Sequence, residues 1–470
     1  MSSGATLTAR LGDFVAGLPS DSIPLEARTR ARTAIIDAVG CTLAGSGTPA
    51  GLMITKHVAS QGGQAQSSVL GTNLQAPAGL AALANGTAGH ALDYDDFLMR
   101  MAHPSVVLLP AILAAGERDG RSGRELVEAY VIGFEVTGRL CRHLNPAHYA
   151  RGWHATSTIG VLGAAAAAAR LARLPAEQVR TAVGIAASNA AGVRKNFGSM
   201  VKPLHAGTAA AAGLLAADLA AAGFTADLDI LDGPRNFLEV YAGAGAHADP
   251  GGLFAPGEPF ELVETGIALK RFACCGAIHA TADAVLTIRE QHPEVAWIDA
   301  VRTIECRVNR MSPDILIHHR AESPDEGKFC LEYSVAAALL DGALGFAQYT
   351  PERIVDPAVQ TLSSRVKVVV DPDMAVHYTS FPGAVEIELS DGRRLRSSVH
   401  SQKGNPDNPL SAADVEAKFM ECAEPVLGAT GTRSALDLLN SLEDIADLRR
   451  VGVALRPLAA QAGAARGSPR

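Results

Sequence analysis

Aromatic residues make up only 5% of this 470-residue chain, with two tryptophans, so large rings cannot fill its interior. Hydrophobic residues still reach 48%, which leaves Ala, Leu, Val and Gly to build the core, and small side chains let helices approach closely. Charged residues are sparse at 19% and the net charge is -8. With no basic stripe to neutralise phosphates, a nucleic-acid partner is excluded, and any anionic substrate must be met by locally gathered lysines and arginines. The seven cysteines, Cys41, Cys141, Cys274, Cys275, Cys306, Cys330 and Cys422, are odd in number and lack framework spacing, which suits a reducing compartment. The vicinal Cys274-Cys275 pair is not a zinc knuckle. The longest apolar run, 159–169, stops at Arg170 and is too short to span a bilayer. The start of the chain has no apolar core of signal-peptide length, being interrupted by Arg10 and Asp13. A cytoplasmic enzyme with no membrane partner is the expectation.

A chain of this length exceeds one ordinary core, so two domains are expected. Up to about residue 245 the pattern reads as helices joined by short turns, including 28–45, 123–144, a run starting at Pro175 and ending near Ala190, and 208–222. Beyond about residue 265 strand signals enter: 301–308 alternates, 365–370 is β-rich, and 384–389 with Asp391-Gly392 and 393–399 reads as a hairpin. Helical stretches at 279–290 and 326–340 are interleaved with them. After Asn405-Pro406 and Asn408-Pro409, Ser411 with Asp414 caps a returning helix over 415–426. The fold class expected is mainly α: a large all-helical domain (1–266, returning at 405–457) with an inserted smaller α+β lid domain (267–404) and a disordered tail (458–470).

Polar groups concentrate most strongly at 85–110, where two histidines, three aspartates and a tyrosine interrupt apolar sequence. Helical spacing over 81–92 puts His90 and Asp93 three apart on one face, and Gly86 and Gly89 are tolerated where another backbone approaches. Asp93, Asp95 and Asp96 then close that helix, and after a Met-rich connection His103-Pro104 sets up a second apolar helix from about Val106. A carboxylate beside imidazole tunes a proton-transfer group to working pH. The alternative is that the aspartates cap backbone groups and the histidines are ordinary hydrogen-bonded residues. Further polar clusters occur at 153–156 around His154, at 195–205 with Lys202 and His205, at 270–276 with Lys270 and Arg271, and at 317–320 with His318 and His319. Each has a plain reading as a cap or a solvated pair. Together with His90, Asp93 and His103 they suit proton abstraction next to a carboxylate whose charge lysines hold.

The stretches GHALDYDD (89–96) leading to HPS (103–105), GWHATSTIG (152–160), NFGSMVKPLHAG (196–207), KRFACCGAIH (270–279), KFCLEYSVAAALLDG (328–342) and NPLSAADVEAKF (408–419) resemble the MmgE/PrpD family of 2-methylcitrate dehydratases, cis-aconitate decarboxylases and iminodisuccinate epimerases. The resemblance covers nearly the whole chain. It implies a homodimer and a site between the domains that uses no metal or other cofactor and takes a small di- or tricarboxylate. By the resemblance, His103 and His154 transfer protons, Asp93 orients or takes part, and Lys202, Lys270, His90 and His318 bind substrate. Phe97 and His318 stand where the decarboxylase branch resembles a pattern with threonine and tyrosine. The activity implied first is therefore elimination of water after removal of a proton α to a carboxylate. Epimerisation of the iminodisuccinate type is the alternative, and cis-aconitate-type decarboxylation comes after it.

Two further classes compete. Asp93, Asp95 and Asp96 on helices suggest a magnesium-dependent diphosphate lyase, but its second metal motif would rest on Asn309 and Ser312 without the acidic residue that should follow. A non-catalytic helical scaffold would carry polar residues in apolar surroundings at a cost in stability and without a use.

Overall fold

The computed structural model describes residues 5–98, 101–243, 252–374 and 381–457. The expected tail at 458–470 and Met99 of the Met-rich connection lie outside the described residues. The chain separates into two compact units, the first comprising Met1–Lys195, Pro203–Ile267 and Ser411–Arg470, the second Asn196–Lys202 and Ala268–Leu410. Helices dominate and the fold is mainly α.

In the first unit, close approach of small residues fixes where the site-bearing helix Ala78–His90 lies. A β-carbon on Gly45, in the helix Leu25–Ser46, would sit 1.8 Å from the carbonyl oxygen of Ala88. On the other side, one on Gly207 would sit 2.2 Å from the carbonyl oxygen of Leu83. Any side chain at either position would push the helices apart, so glycine there is a packing requirement. The helix Gly123–Leu144 starts with a reciprocal cap, Ser122 Oγ accepting from the Glu125 amide at 3.3 Å while Glu125 accepts from the Ser122 amide at 2.9 Å. The returning helix Ala412–Asn440 starts with the expected Ser411–Asp414 cap and is broken at Gly428, where φ is 66°.

Three local expectations change. The sequence predicts a helix over 208–222, but it runs Val201–Ala221, because Pro203 falls in its first turn, where a missing N–H breaks no helical bond. By length and composition this helix could cross a membrane, and half of its apolar window is buried within the chain. The first unit is also not entirely helical: Ser67–Ser68 pairs antiparallel with Gln75–Ala76, and Asn85 holds the connection by accepting from the Leu70 amide and donating to the Ser68 carbonyl, both at 2.9 Å. In the second unit, the stretch expected as one helix over 326–340 is a single turn, Pro324–Gly327, followed by Leu331–Asp341.

The second unit contains a four-stranded sheet ordered Val366–Val370, Val301–Val308, Gly383–Leu389, Arg394–Val399, with the first pair parallel and the others antiparallel. Ile304, Cys306 and Val308 alternate inward and pack with Val385 and Ile387 beneath the helix Gly276–Gln291. Gly392, at φ 89°, turns the hairpin, and Asp391 accepts from the Arg393 amide at 2.9 Å. The opposite face carries solvated ion pairs such as Arg396–Glu386 at 2.7 Å.

Candidate active site

The helix Ala78–His90 stops at His90, and Asp93 has the left-handed φ of 50°. Asp93 therefore lies beyond the end of the helix rather than on its face, and Asp95 reaches the histidines as well. His90 Nδ1 lies 2.9 and 3.0 Å from the two Asp95 oxygens, and His103 Nδ1 lies 3.0 Å from Asp95 Oδ2 and 2.8 Å from the carbonyl oxygen of Asp96. The Asp95 carboxylate is fully buried, as is the His90 side chain, whereas His103 keeps 16% of its side chain exposed. Burial by itself raises the Asp95 carboxyl, but the His90 and His103 imidazoles outweigh it and hold the group well below the usual carboxylate range. Asp96 goes the other way: burial, reinforced by Asp37 and Asp95, pushes it well above that range. The two adjacent aspartates are thus shifted in opposite directions, an arrangement that separates acid from base roles.

His103 is placed by the chain on both sides of it. The Leu98 amide donates to the Ala102 carbonyl at 2.7 Å, closing a tight turn, and the His103 amide donates to Thr156 Oγ1 at 3.0 Å. The helix that follows, Ser105–Asp119, begins with Ser105, whose hydroxyl lies 2.5 Å from the buried Tyr130 hydroxyl. His154 precedes the short helix Ala155–Thr158, its amide bonded to the Gly192 carbonyl at 3.0 Å. Its ring lies 6.0 Å from that of His90, which in turn lies 4.5 Å from that of His103. His154 Nδ1 is 3.0 Å from His205 Nδ1, so one of these two nitrogens carries the proton and the other accepts it. His90, Asp93, His103 and His154 are thus gathered in the first unit. Asp95 and His205, which stand in the polar clusters of the sequence without a role of their own there, bind to histidines of this group directly.

His90, Asp93, Asp95 and His103 each offer a ligand atom within 4.8 Å of the others, a donor set of the type that holds a cation. Both imidazole Nδ1 atoms face one carboxylate at hydrogen-bond distance, which is also the geometry of a proton-linked cluster. The turn bearing these residues is held by the returning helix: Lys418 Nζ donates to the Tyr94 carbonyl at 2.7 Å and pairs with Asp37 at 2.7 Å, all buried.

The remaining expected site residues lie in the second unit. Lys202 is buried, with its ammonium 5.5 Å from the Phe197 ring centre and 5.4 Å from that of Phe329. His318 packs on Gly198, where φ is 80° and a β-carbon would lie 2.3 Å from His318 Nε2. Lys270 is almost fully buried, beside Leu269, whose amide donates to the Gly404 carbonyl at 3.0 Å. Arg271 is a half-exposed partner of Asp283 at 2.7 Å. Asn309 accepts from the Met311 and Ser312 amides at 3.0 and 3.1 Å, so the residues proposed for a second magnesium motif are tied into a local turn before the short helix Ser312–Ile315.

Family models match the chain over two stretches, residues 9–248 to the MmgE/PrpD N-terminal domain and residues 272–444 to the MmgE/PrpD C-terminal domain. The chain belongs to the MmgE/PrpD family. The N-terminal match contains the whole histidine cluster and Lys202, the C-terminal match contains His318 and Lys418, and Lys270 falls between them. The chain is 29% identical over 454 residues to a cis-aconitate decarboxylase of Mus musculus, covering 94% of this chain and 92% of the relative. It is 28% identical over 458 residues to that of Homo sapiens, covering 94% and 93%. It is 27% identical over 472 residues to a cis-aconitate decarboxylase-like protein of Aspergillus oryzae, covering 94% and 95%.

Proposed function

We propose that this MmgE/PrpD chain is a lyase that removes a proton α to a carboxylate of a small di- or tricarboxylate and then expels water, a reaction of the 2-methylcitrate dehydratase type. The observation that carries this reading is the division of the histidines into two hydrogen-bonded units, His90 and His103 on Asp95, and His154 on His205. Dehydration needs two proton transfers, one from carbon to a base and one from an acid to the departing hydroxyl. His103, the partly exposed ring of the first unit, and His154, a ring of the second, are the proposed pair. The carbanion-like species between the two steps needs positive charge beside the substrate carboxylates, and Lys202 and Lys270, with His318, are the proposed source. Epimerisation also uses two proton transfers, delivering the second to the opposite face, and is the alternative from the same groups.

Decarboxylation is a further reading, favoured by the names of the relatives. It reaches a similar carbanion by loss of carbon dioxide and needs only one proton delivered. Phe97, buried with its ring 6.4 Å from that of His103, puts an apolar group beside that histidine. Proton NMR in heavy water with citrate, 2-methylcitrate, aconitate, tartrate and iminodisuccinate analogues separates the three outcomes. Formation of an alkene from a hydroxy acid without loss of carbon dioxide supports dehydration, deuterium uptake without an alkene supports epimerisation, and loss of carbon dioxide overturns both. We further propose a homodimer, motivated by exposed apolar positions such as Leu215 on the helix Val201–Ala221; light scattering at micromolar concentration showing only monomer contradicts it.

A further inference from the structure

We propose that Asp95 is the positioning residue of the site: its carboxylate bridges His90 and His103, fixes both rings as Nδ1–H tautomers, and so makes Nε2 of His103 the nitrogen that exchanges the proton. This deepens the proposed histidine mechanism and rests on it only for its kinetic part.

Every described acceptor facing the two Nδ1 atoms is an atom that cannot donate. His90 Nδ1 meets Asp95 Oδ1 at 2.9 Å and Oδ2 at 3.0 Å. His103 Nδ1 meets the Asp96 carbonyl at 2.8 Å and Asp95 Oδ2 at 3.0 Å. A backbone carbonyl and an ionised carboxylate only accept, so each ring nitrogen must carry its hydrogen toward them. In the neutral rings the lone pair is then left on Nε2. Burial raises the Asp95 carboxyl, and the two imidazoles that face it at hydrogen-bond distance outweigh that and hold it well below the usual carboxylate range. When His103 Nε2 takes a proton from substrate carbon, the C–H electron pair remains on carbon and the ring becomes an imidazolium. Its Nδ1–H still points at the Asp95 carboxylate, which stabilises the new charge at about 3 Å. His90 meets both oxygens of the same carboxylate, 4.5 Å from His103 between ring centres, and helps hold Asp95 in place. Its buried ring gives it no exposed surface of its own, which assigns it a supporting part in this bridge.

Asparagine at position 95 keeps the shape but offers one acceptor and one donor in place of two acceptors. His90 Nδ1 reaches both side-chain positions and His103 retains the Asp96 carbonyl, so each ring keeps an acceptor for its Nδ1–H while the counter-charge is lost. The test has two parts. In histidine-labelled wild-type protein at neutral pH, nitrogen-15 shifts of His90 and His103, assigned with His90→Gln and His103→Gln, should show both rings protonated at Nδ1 and unprotonated at Nε2. This part needs no substrate and no Asp95 variant, so it stands whether or not the assigned reaction is right, and either ring found as the Nε2–H tautomer overturns the proposal. In Asp95→Asn both rings should keep their Nδ1–H tautomers, and kcat should fall about 10²- to 10⁴-fold with KM changed only a few-fold, because substrate contacts remain while the counter-charge is lost. A kcat within threefold of wild type in this variant overturns it as well.

Discussion

Replacing Lys418 by methionine tests how the returning helix supports the catalytic turn. The lysine is buried against Asp37 at 2.7 Å and donates to the Tyr94 carbonyl at 2.7 Å, and its ammonium lies 4.0 Å from the Tyr94 ring centre. Methionine fills similar space but leaves the Asp37 carboxylate buried without this cation. Breaking a buried pair from one side costs about 3 to 5 kcal/mol. The unmet Tyr94 carbonyl adds roughly 1 to 3 kcal/mol unless water reaches it. Asp96 already meets the field of Asp37, so the same variant should also disturb the turn that carries Asp95 and His103. Urea unfolding followed by circular dichroism gives the stability, and removing both charges in Asp37→Asn/Lys418→Met should restore most of it. A Lys418→Met midpoint equal to wild type, or a double variant no more stable than the single one, refutes this account of the support.

His148, whose Nε2 lies 2.7 Å from Thr158 Oγ1, is held neutral by burial, which lowers its pKa from 6.5 to about 4. Its folded pKa lies below the unfolded value, so its contribution is present above pH 6.5 and lost as pH falls toward 4; a shift of this size corresponds to roughly 3 kcal/mol. Urea midpoints at pH 7 and pH 5 should therefore converge in His148→Gln, and an unchanged pH dependence contradicts the assignment. Gly198→Ala should displace His318, since its β-carbon would lie 2.3 Å from His318 Nε2 on backbone of positive φ. The left-handed conformation alone costs about 1 to 2 kcal/mol, so a melting temperature equal to wild type would show that the loop relaxes freely.

The motifs were legible because each sits where an element begins or ends: the helix before His90, the helix after His103, the short helix after His154 and the Ser411 cap. The hairpin was legible from Asp391-Gly392 between alternating strands. What spacing could not reveal was the partner of His90. Counting three residues along a helix selects Asp93, but the helix ends first and the φ of 50° at Asp93 sends Asp95 to both histidines. His205 was hidden for a related reason. It meets His154 across 51 positions, and only packing of the helix Val201–Ala221 against the rest of its unit brings them together. Lys418 lies within the NPLSAADVEAKF motif, but its bond to the Tyr94 carbonyl spans 324 positions and leaves no local pattern.

The central claim is that a histidine from each hydrogen-bonded unit moves a proton. Steady-state kinetics of His103→Ala and His154→Ala, on whichever carboxylate the heavy-water panel shows to be turned over, tests it most directly. Each variant should lose about 10²- to 10⁴-fold in kcat with little change in apparent substrate affinity, whereas Lys202→Ala should also weaken binding, by roughly 1.5 to 3 kcal/mol. Wild-type turnover in both histidine variants would contradict the account.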